Sequence, residues 1–234
     1  MIGRPRVHYA ITDSTSERAK ELAHRGATHG TLVTADEQRA GRGRQGRAWT
    51  AAPGSAVLMS VVLRELNDLL PLAAAVAVCE AAEATAPVEC RVKWPNDVWI
   101  ERRKVAGILV EGRPQEGWAV LGVGLNVGEQ RFPRELAGIA TSLALESLGA
   151  RRWSLGAVLD ALLSALDRRL SDDPARVLQA WRQRDALRGN RISWRDGEGM
   201  AAGVDDTGAL LVDTKDGRVA LHAGEVHLDS SPSA

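Results

Sequence analysis

Hydrophobic and polar positions along this chain follow two rhythms, and the places where the rhythm changes mark its elements. Ala56 to Leu63 is an unbroken β-compatible run, the pattern of a strand covered on both faces. Leu69 to Ala86 is apolar on nearly every side, which puts a helix in the core. Strand-like segments then follow closely: Val88 to Lys93, a short one around Val98, Val105 to Gly112, and Trp118 to Val127 after a turn at Pro114 to Gly117. Connections this short favour an antiparallel or mixed sheet. Upstream, Thr31 to Ala35 reads as a short strand, with a loop from Asp36 to Gly54. Ser14-Thr15-Ser16-Glu17 has the form of a capping box opening a helix through Arg25.

Beyond Gly149 the period becomes helical, with Leu155, Val158, Leu159, Leu162, Leu163, Leu166 and Leu170 on one face as a packing stripe. Asp173-Pro174 opens another helix with a capping acid and a proline in the first turn. From Asn190 short β segments are cut by turns at Asp196-Gly197, Thr207-Gly208 and Asp216-Gly217, the pattern of a small barrel. A boundary near Leu187 divides the chain into a domain over 1–187 and a small β-barrel domain over 188–230, with Ser230 to Ala234 frayed.

The 234 residues, 44% of them hydrophobic, suffice for one large domain and a smaller one. Thirty basic residues balance thirty acidic ones, so any basic patch is local and general nucleic-acid binding is not implied. Cys79 and Cys90 lack metal or redox spacing and read as reduced core thiols. The five histidines form no metal-ligand pattern, so no protein-held metal is expected. Pro71, Glu80 and Glu83 interrupt the apolar helix, and no signal-like segment follows Met1, so a cytoplasmic protein without a membrane partner is expected.

Candidate chemistry concentrates in two places. Lys93-Trp94-Pro95-Asn96-Asp97 follows a buried strand, which fixes the lysine by its backbone. Gly41-Arg42-Gly43-Arg44-Gln45-Gly46-Arg47 combines a glycine backbone, able to fold closely over a ligand, with forked donors for carboxylate and phosphate oxygens. Together they suit chemistry that brings two anions together. The loop matches GxGxxG by letter, but no apolar strand precedes it and no helix follows, so the dinucleotide fingerprint fails. No phosphate loop of the GxxxxGK[ST] type occurs either. Plainer readings stand beside these: a solvated basic loop, a strand lysine covering apolar surface with its stem, and a packing tryptophan at Trp49. In Gly122-Val123-Gly124-Leu125-Asn126-Val127-Gly128 the glycines allow close backbone approach, and Asn126 offers both donor and acceptor or serves as a turn residue.

Taken in order, Asp13-Ser14-Thr15-Ser16, Gln38-Arg39-Ala40-Gly41-Arg42-Gly43-Arg44, Lys93-Trp94-Pro95-Asn96-Asp97, Lys104 to Glu111 and Gly122 to Val127 closely resemble bacterial biotin protein ligases across residues 10 to 228. The resemblance implies an α/β (α+β) fold related to class II aminoacyl-tRNA synthetases, a mixed sheet flanked by helices, with a small C-terminal Src-homology-3-like barrel. It further implies that the enzyme makes biotinyl-5′-AMP from biotin and ATP with Mg2+ delivered by the nucleotide. Biotin then passes to one lysine of a biotin carboxyl carrier protein domain. By the same resemblance Ser14, Thr15, Ser16 and Gln38 bind the ureido ring, Ser16 standing where the family has asparagine. Arg42, Gly43 and Arg44 cover biotin and the adenylate, Trp49 forms an apolar wall and Gly107 lies against biotin. Lys93 and Arg44 are the catalytic cations, while Arg42, Arg47, Lys104 and Asn126 face the nucleotide. Twelve residues precede Asp13, too few for a winged helix, so a ligase that does not bind DNA is expected. Homodimerisation through a sheet edge is expected by analogy. A lipoate or octanoate ligase, an RNA- or DNA-phosphate binder and a non-catalytic biotin sensor remain alternatives.

Overall fold

A computed structural model describes residues 1–147 and 154–228; the expected fraying of 230–234 lies outside the described residues. Seven strands build the larger sheet: β1 (Arg6–Thr12), β2 (Leu32–Gln38), β3 (Ala56–Leu63), β4 (Arg91–Lys93), β5 (Asp97–Ile100), β6 (Arg103–Arg113) and β7 (Trp118–Asn126). Their spatial order is β1-β2-β3-β7-β6-β5-β4, with β1 and β2 parallel and the other pairs antiparallel. The sheet is therefore mixed, as the short connections predict. β1 escaped the pattern reading because it is an edge strand with six of seven residues exposed or half-exposed in no clean alternation.

Period-two geometry sends neighbouring residues to opposite faces and creates two apolar layers. Leu32, Val61 and Leu121 enter the large core beneath α2 (Leu70–Thr85), while Val33, Val62 and Val120 enter a smaller one beneath α1 (Thr15–His24). β3 lies between β2 and β7 and is buried at every position, which explains its continuous apolar run. Helix α2 is covered by α4 (Leu155–Leu170) and α5 (Pro174–Arg182), so its all-round apolar surface meets the sheet on one side and helices on the other. The predicted stripe of α4 faces inward at Val158, Leu159, Leu162 and Leu166. Asp173 caps α5 by accepting from the Arg176 N–H at 2.9 Å. α3 (Leu143–Glu146), one turn capped by Ser142, was not read from sequence. Cys79 and Cys90 are free and buried.

Three expectations need correction. Ser14 is the N-cap residue of α1, but its side chain makes no capping bond; Glu17, the other half of the supposed box, pairs with Lys20 at 3.0 Å and Arg42 at 3.1 Å. The strand expected from Val88 begins at Arg91, because Ala86 O and Glu83 Oε1 accept the Val88 and Cys90 N–H groups and keep them out of the ladder. β2 runs on to Gln38 through parallel pairing with β1, taking three residues from the expected loop.

The outer edge of β4 is closed by the segment leaving α5: Val92 N–H donates to Arg184 O at 2.7 Å and Ala186 N–H to Val92 O at 2.9 Å. The chain then enters a five-stranded antiparallel sheet of β8 (Arg191–Trp194), β9 (Gly197–Val204), β10 (Leu210–Thr214), β11 (Gly217–Leu221) and β12 (Val226–Leu228), ordered β11-β10-β9-β8-β12. Among the described residues no helix is long and apolar enough to cross a membrane.

Candidate active site

On the sheet face that carries α1, the strands beyond the helix N-terminus floor a cavity of about 550 Å³. Alternation on β7 explains its depth: Val123 and Leu125 belong to the large core, while Gly122, Gly124 and Asn126 line the cavity. Gly124 pairs with Gly107 of β6, and the Trp49 indole rests on this glycine pair. A Cβ on Gly124 would overlap the indole ring, and one on Gly107 would meet it at 3.1 Å and Lys104 Nζ at 3.2 Å. The indole Nε1 is buried with no partner among the described residues, an unmet donor that costs about 1–3 kcal/mol until something accepts from it.

At the β2–β3 side of the cavity the polar groups are uncharged. The Thr15 N–H donates to Gln38 Oε1 at 2.7 Å and its hydroxyl to the same oxygen at 3.0 Å. Because a backbone N–H can only donate, the atom it meets is the amide oxygen. Gln38 Nε2 is thereby left as a donor with no partner among the described residues. The Thr15 hydroxyl also meets Ser60 Oγ at 2.9 Å, and Ser60 Oγ meets Ser16 Oγ at 3.1 Å.

At the β6–β4 side the groups are cations. Burial pushes both Lys93 and Arg44 below their ordinary pKa values; nearby Asp97 works against that shift, and neighbouring cations add to it, Lys104 and Arg47 at Lys93 and Arg47 at Arg44. Lys93 Nζ sits 5.2 Å from the Trp99 ring centroid, where the ring's negative face favours a cation. Lys104 Nζ pairs with Asp97 Oδ1 at 2.7 Å and lies 5.7 Å from the Trp49 ring. Two carboxylates, Asp97 and Glu225, among the cations Arg44, Arg47, Lys93 and Lys104 leave a surplus of positive charge in a partly dehydrated site. A negative ligand would relieve their mutual repulsion.

The segment 93–97 divides its labour. Trp94 is 1% exposed and donates from Nε1 to Gly208 O at 3.0 Å, tying the two sheets together. Asn96 Nδ2 donates to Ile108 O at 2.8 Å, which turns its Oδ1 to accept from Arg44 Nη1 at 3.1 Å. Arg42 instead pairs with Glu17 at 3.1 Å, and Arg47 pairs with Glu225 just before β12. Both pairs are surface-exposed, so exchanging them for a ligand costs little, about 0–1 kcal/mol each.

The fold thus gathers Thr15, Ser16, Gln38, Arg42, Gly43, Arg44, Arg47, Trp49, Lys93, Lys104, Gly107 and Asn126 around one cavity. Ser14 is not in its wall; it is buried, and its hydroxyl has no partner among the described residues. Asn126 has its amide N–H committed to Thr141 O at 3.0 Å, so it turns mainly acceptor capacity elsewhere. Sequence reading missed Ser60, hidden inside an apolar run, and Asn96, whose place beside Lys93 was the available signal. It also missed the apolar rim of Phe132, Leu136 and Ile139 and the β12 residues that complete the cavity wall.

The family described as "Biotin/lipoate A/B protein ligase family" matches residues 8–127, and "Biotin protein ligase C terminal domain" matches residues 188–229. A biotin--[acetyl-CoA-carboxylase] ligase of Mycobacterium tuberculosis is 34% identical over 93% of this chain and 86% of its own length. One from Paracoccus denitrificans is 33% identical over 93% of this chain and 98% of its own. The solved structure of biotin protein ligase from Aquifex aeolicus in complex with biotin and ATP superposes with a TM-score of 0.86 at 28% identity, covering 97% of this chain and 100% of that one.

Proposed function

This chain belongs to the biotin/lipoate A/B protein ligase family and is a biotin protein ligase with biotin and ATP as substrates, and from that premise we propose how its residues divide the work and which protein receives the biotin. One observation carries the reading: a single cavity has uncharged hydrogen-bonding groups from the start of α1 and the end of β2, glycines in the middle, and cations along β6 to β4. That layout fits a neutral cyclic urea at one end and a carboxylate meeting a phosphate at the other. The ureido ring lies against Thr15, Ser16 and Gln38.

Attack of the biotin carboxylate on the α-phosphate forms the mixed anhydride and expels pyrophosphate. Two anions must approach, and Lys93 and Arg44 are the fixed positive charges that offset their repulsion where water is scarce. Asn96 holds the Arg44 guanidinium in place before substrate arrives. Arg42, Gly43 and Arg47 close over the product as the loop exchanges Glu17 and Glu225 for ligand oxygens, shielding the anhydride from hydrolysis. Trp49 and Gly107 form the apolar middle, and Lys104 and Asn126 face the nucleotide. Mg2+ arrives on the ATP phosphates as part of the substrate.

The acceptor is a lysine of a carboxylase's biotin carboxyl carrier domain, whose amine attacks the anhydride carbonyl and releases AMP, so no enzyme nucleophile is required. Residues 1–187 form the catalytic domain and 188–230 the C-terminal one, which closes the cavity through β12. A lipoyl dithiolane ring has no donor for Ser16 and only weakly accepting sulfurs for Gln38, so the neutral end favours biotin over lipoate. Incubating the protein with Mg-ATP, a carrier domain and either acid, then weighing the carrier by mass spectrometry, tests this directly. A gain of one biotinyl group is expected; loading with lipoate alone, or no pyrophosphate release, would overturn the proposal.

A further inference from the structure

Ser60 lies beneath the neutral end of the cavity, against the Thr15 and Ser16 hydroxyls, and belongs to none of the roles above. It is fully buried, with 0% exposure, in the middle of an eight-residue apolar strand. A buried hydroxyl at such a position is retained only where its hydrogen bonds are met, and here they are met by two hydroxyls of α1. Gly122, opposite Ser60 in the β3–β7 register, makes room for the arrangement: a Cβ there would stand 2.8 Å from Ser16 Oγ.

The proton direction along this chain is determined. Gln38 Oε1 can only accept, so the Thr15 hydroxyl 3.0 Å away donates to it. Having given its one proton, Thr15 Oγ1 must accept across the 2.9 Å contact, and the donor is Ser60. Ser60 in turn must accept across the 3.1 Å contact, and the donor is Ser16. Ser16 is left with lone pairs and no proton to offer, while Gln38 keeps a free N–H.

We propose that Ser60 is a positioning residue that fixes Ser16 as an obligate acceptor, so that beside the Gln38 donor the site selects a ring carrying an N–H next to a carbonyl. The inference rests on the biotin reading and explains how a serine serves that end of the cavity: its rotatable hydroxyl is held in one sense by a neighbour on another strand.

The test uses biotin and its two cyclic carbamate analogues, in each of which one ureido N–H is replaced by oxygen, with pyrophosphate release as the readout. The wild-type protein should prefer biotin over one of the two analogues by about tenfold or more in kcat/KM, since an oxygen there would face lone pairs. In Ser60→Ala the Ser16 hydroxyl is free to turn and donate, and that preference should fall to about threefold or less while the KM for Mg-ATP stays within about twofold. Ser60→Cys, of nearly the same volume, should lie between the two and guards against misfolding of the alanine variant. Unchanged discrimination in both variants, or equal rises in KM for biotin and ATP, would overturn the role of Ser60. Failure of the wild-type protein to act on biotin would instead overturn the functional reading beneath it.

Discussion

At the β2–β3 end of the cavity, Thr15, Ser16 and Ser60 are 3%, 6% and 0% exposed and their mutual hydrogen bonds are complete before any ligand arrives. At the β6–β4 end, Lys93 and Arg44 are half-buried, their charged forms disfavoured by burial and by neighbouring cations. The neutral end presents donors and acceptors of defined direction, which discriminates between ligands of similar size at little electrostatic cost. The cationic end holds repulsion that Asp97 relieves only in part, and that negative charge on a ligand would relieve further. Recognition is thus built from satisfied dipoles and activation from unsatisfied charge.

The sharpest way to break this contrast is Lys93→Ala. Adenylate formation should fall at least about 100-fold, equivalent to about 2.7 kcal/mol of transition-state stabilisation, with the melting temperature little changed. Pyrophosphate release and thermal unfolding measured on the same preparation decide it, and parallel losses would make Lys93 a structural residue. Gly124→Ala attacks the boundary between the ends by evicting Trp49, and should raise KM for biotin and for ATP together by about tenfold. A rise for one substrate alone would show that the indole serves only that end.

Thr15→Val removes the first donor of the hydroxyl chain while keeping the shape of the side chain. Losing its bond to Gln38 should raise KM for biotin about fivefold, leaving the chemical step nearly intact, as initial-rate kinetics would show. A fall in kcat of the same size would mean that the neutral end also takes part in activation.

The smallest effect is in the pH profile. Because burial lowers the Lys93 pKa, the lysine loses its charge, and adenylate formation falls along an alkaline limb, below the ordinary lysine value near 10.4. Stability moves the other way. Over the window between the folded and unfolded pKa values the unfolded chain binds the extra proton, so the contribution of Lys93 to folding improves as pH rises through it. Lys93→Arg, whose guanidinium stays charged, should keep whatever residual activity it has flat across that window. An alkaline limb of the same midpoint in this variant would assign the titration to another group.

Much of this molecule was legible in one dimension. The runs Ala56 to Leu63 and Leu69 to Ala86, the α4 stripe and the Asp173 cap all appear as read, because each depends on burial or capping that a local period reports. The strand β1 was missed, since an edge strand has no single buried face to impose alternation. The capping box at Ser14 was misread, because Glu17 has better partners in Lys20 and Arg42, and the second of these comes from a distant loop. Within the site, charged side chains on glycine-rich or strand-end positions announced themselves. Ser60 did not, because one hydroxyl in an apolar strand looks like any small core residue.

The order of residues alone determined which kinds of groups this protein can bring to a ligand: a lysine fixed at a strand end, arginines on a glycine loop, and glycines alternating along β7 with core side chains. It did so because side-chain chemistry and the period of two are properties of neighbours in the chain. Only the tertiary structure decided which of them meet. The register that sets Ser60 opposite Gly122, the Asn96 amide that aims Arg44, and the approach of Glu225 to Arg47 all join residues far apart in sequence. Hydrogen-bond direction and charge repulsion act over a few ångströms of space, so they come into existence only once the chain has folded.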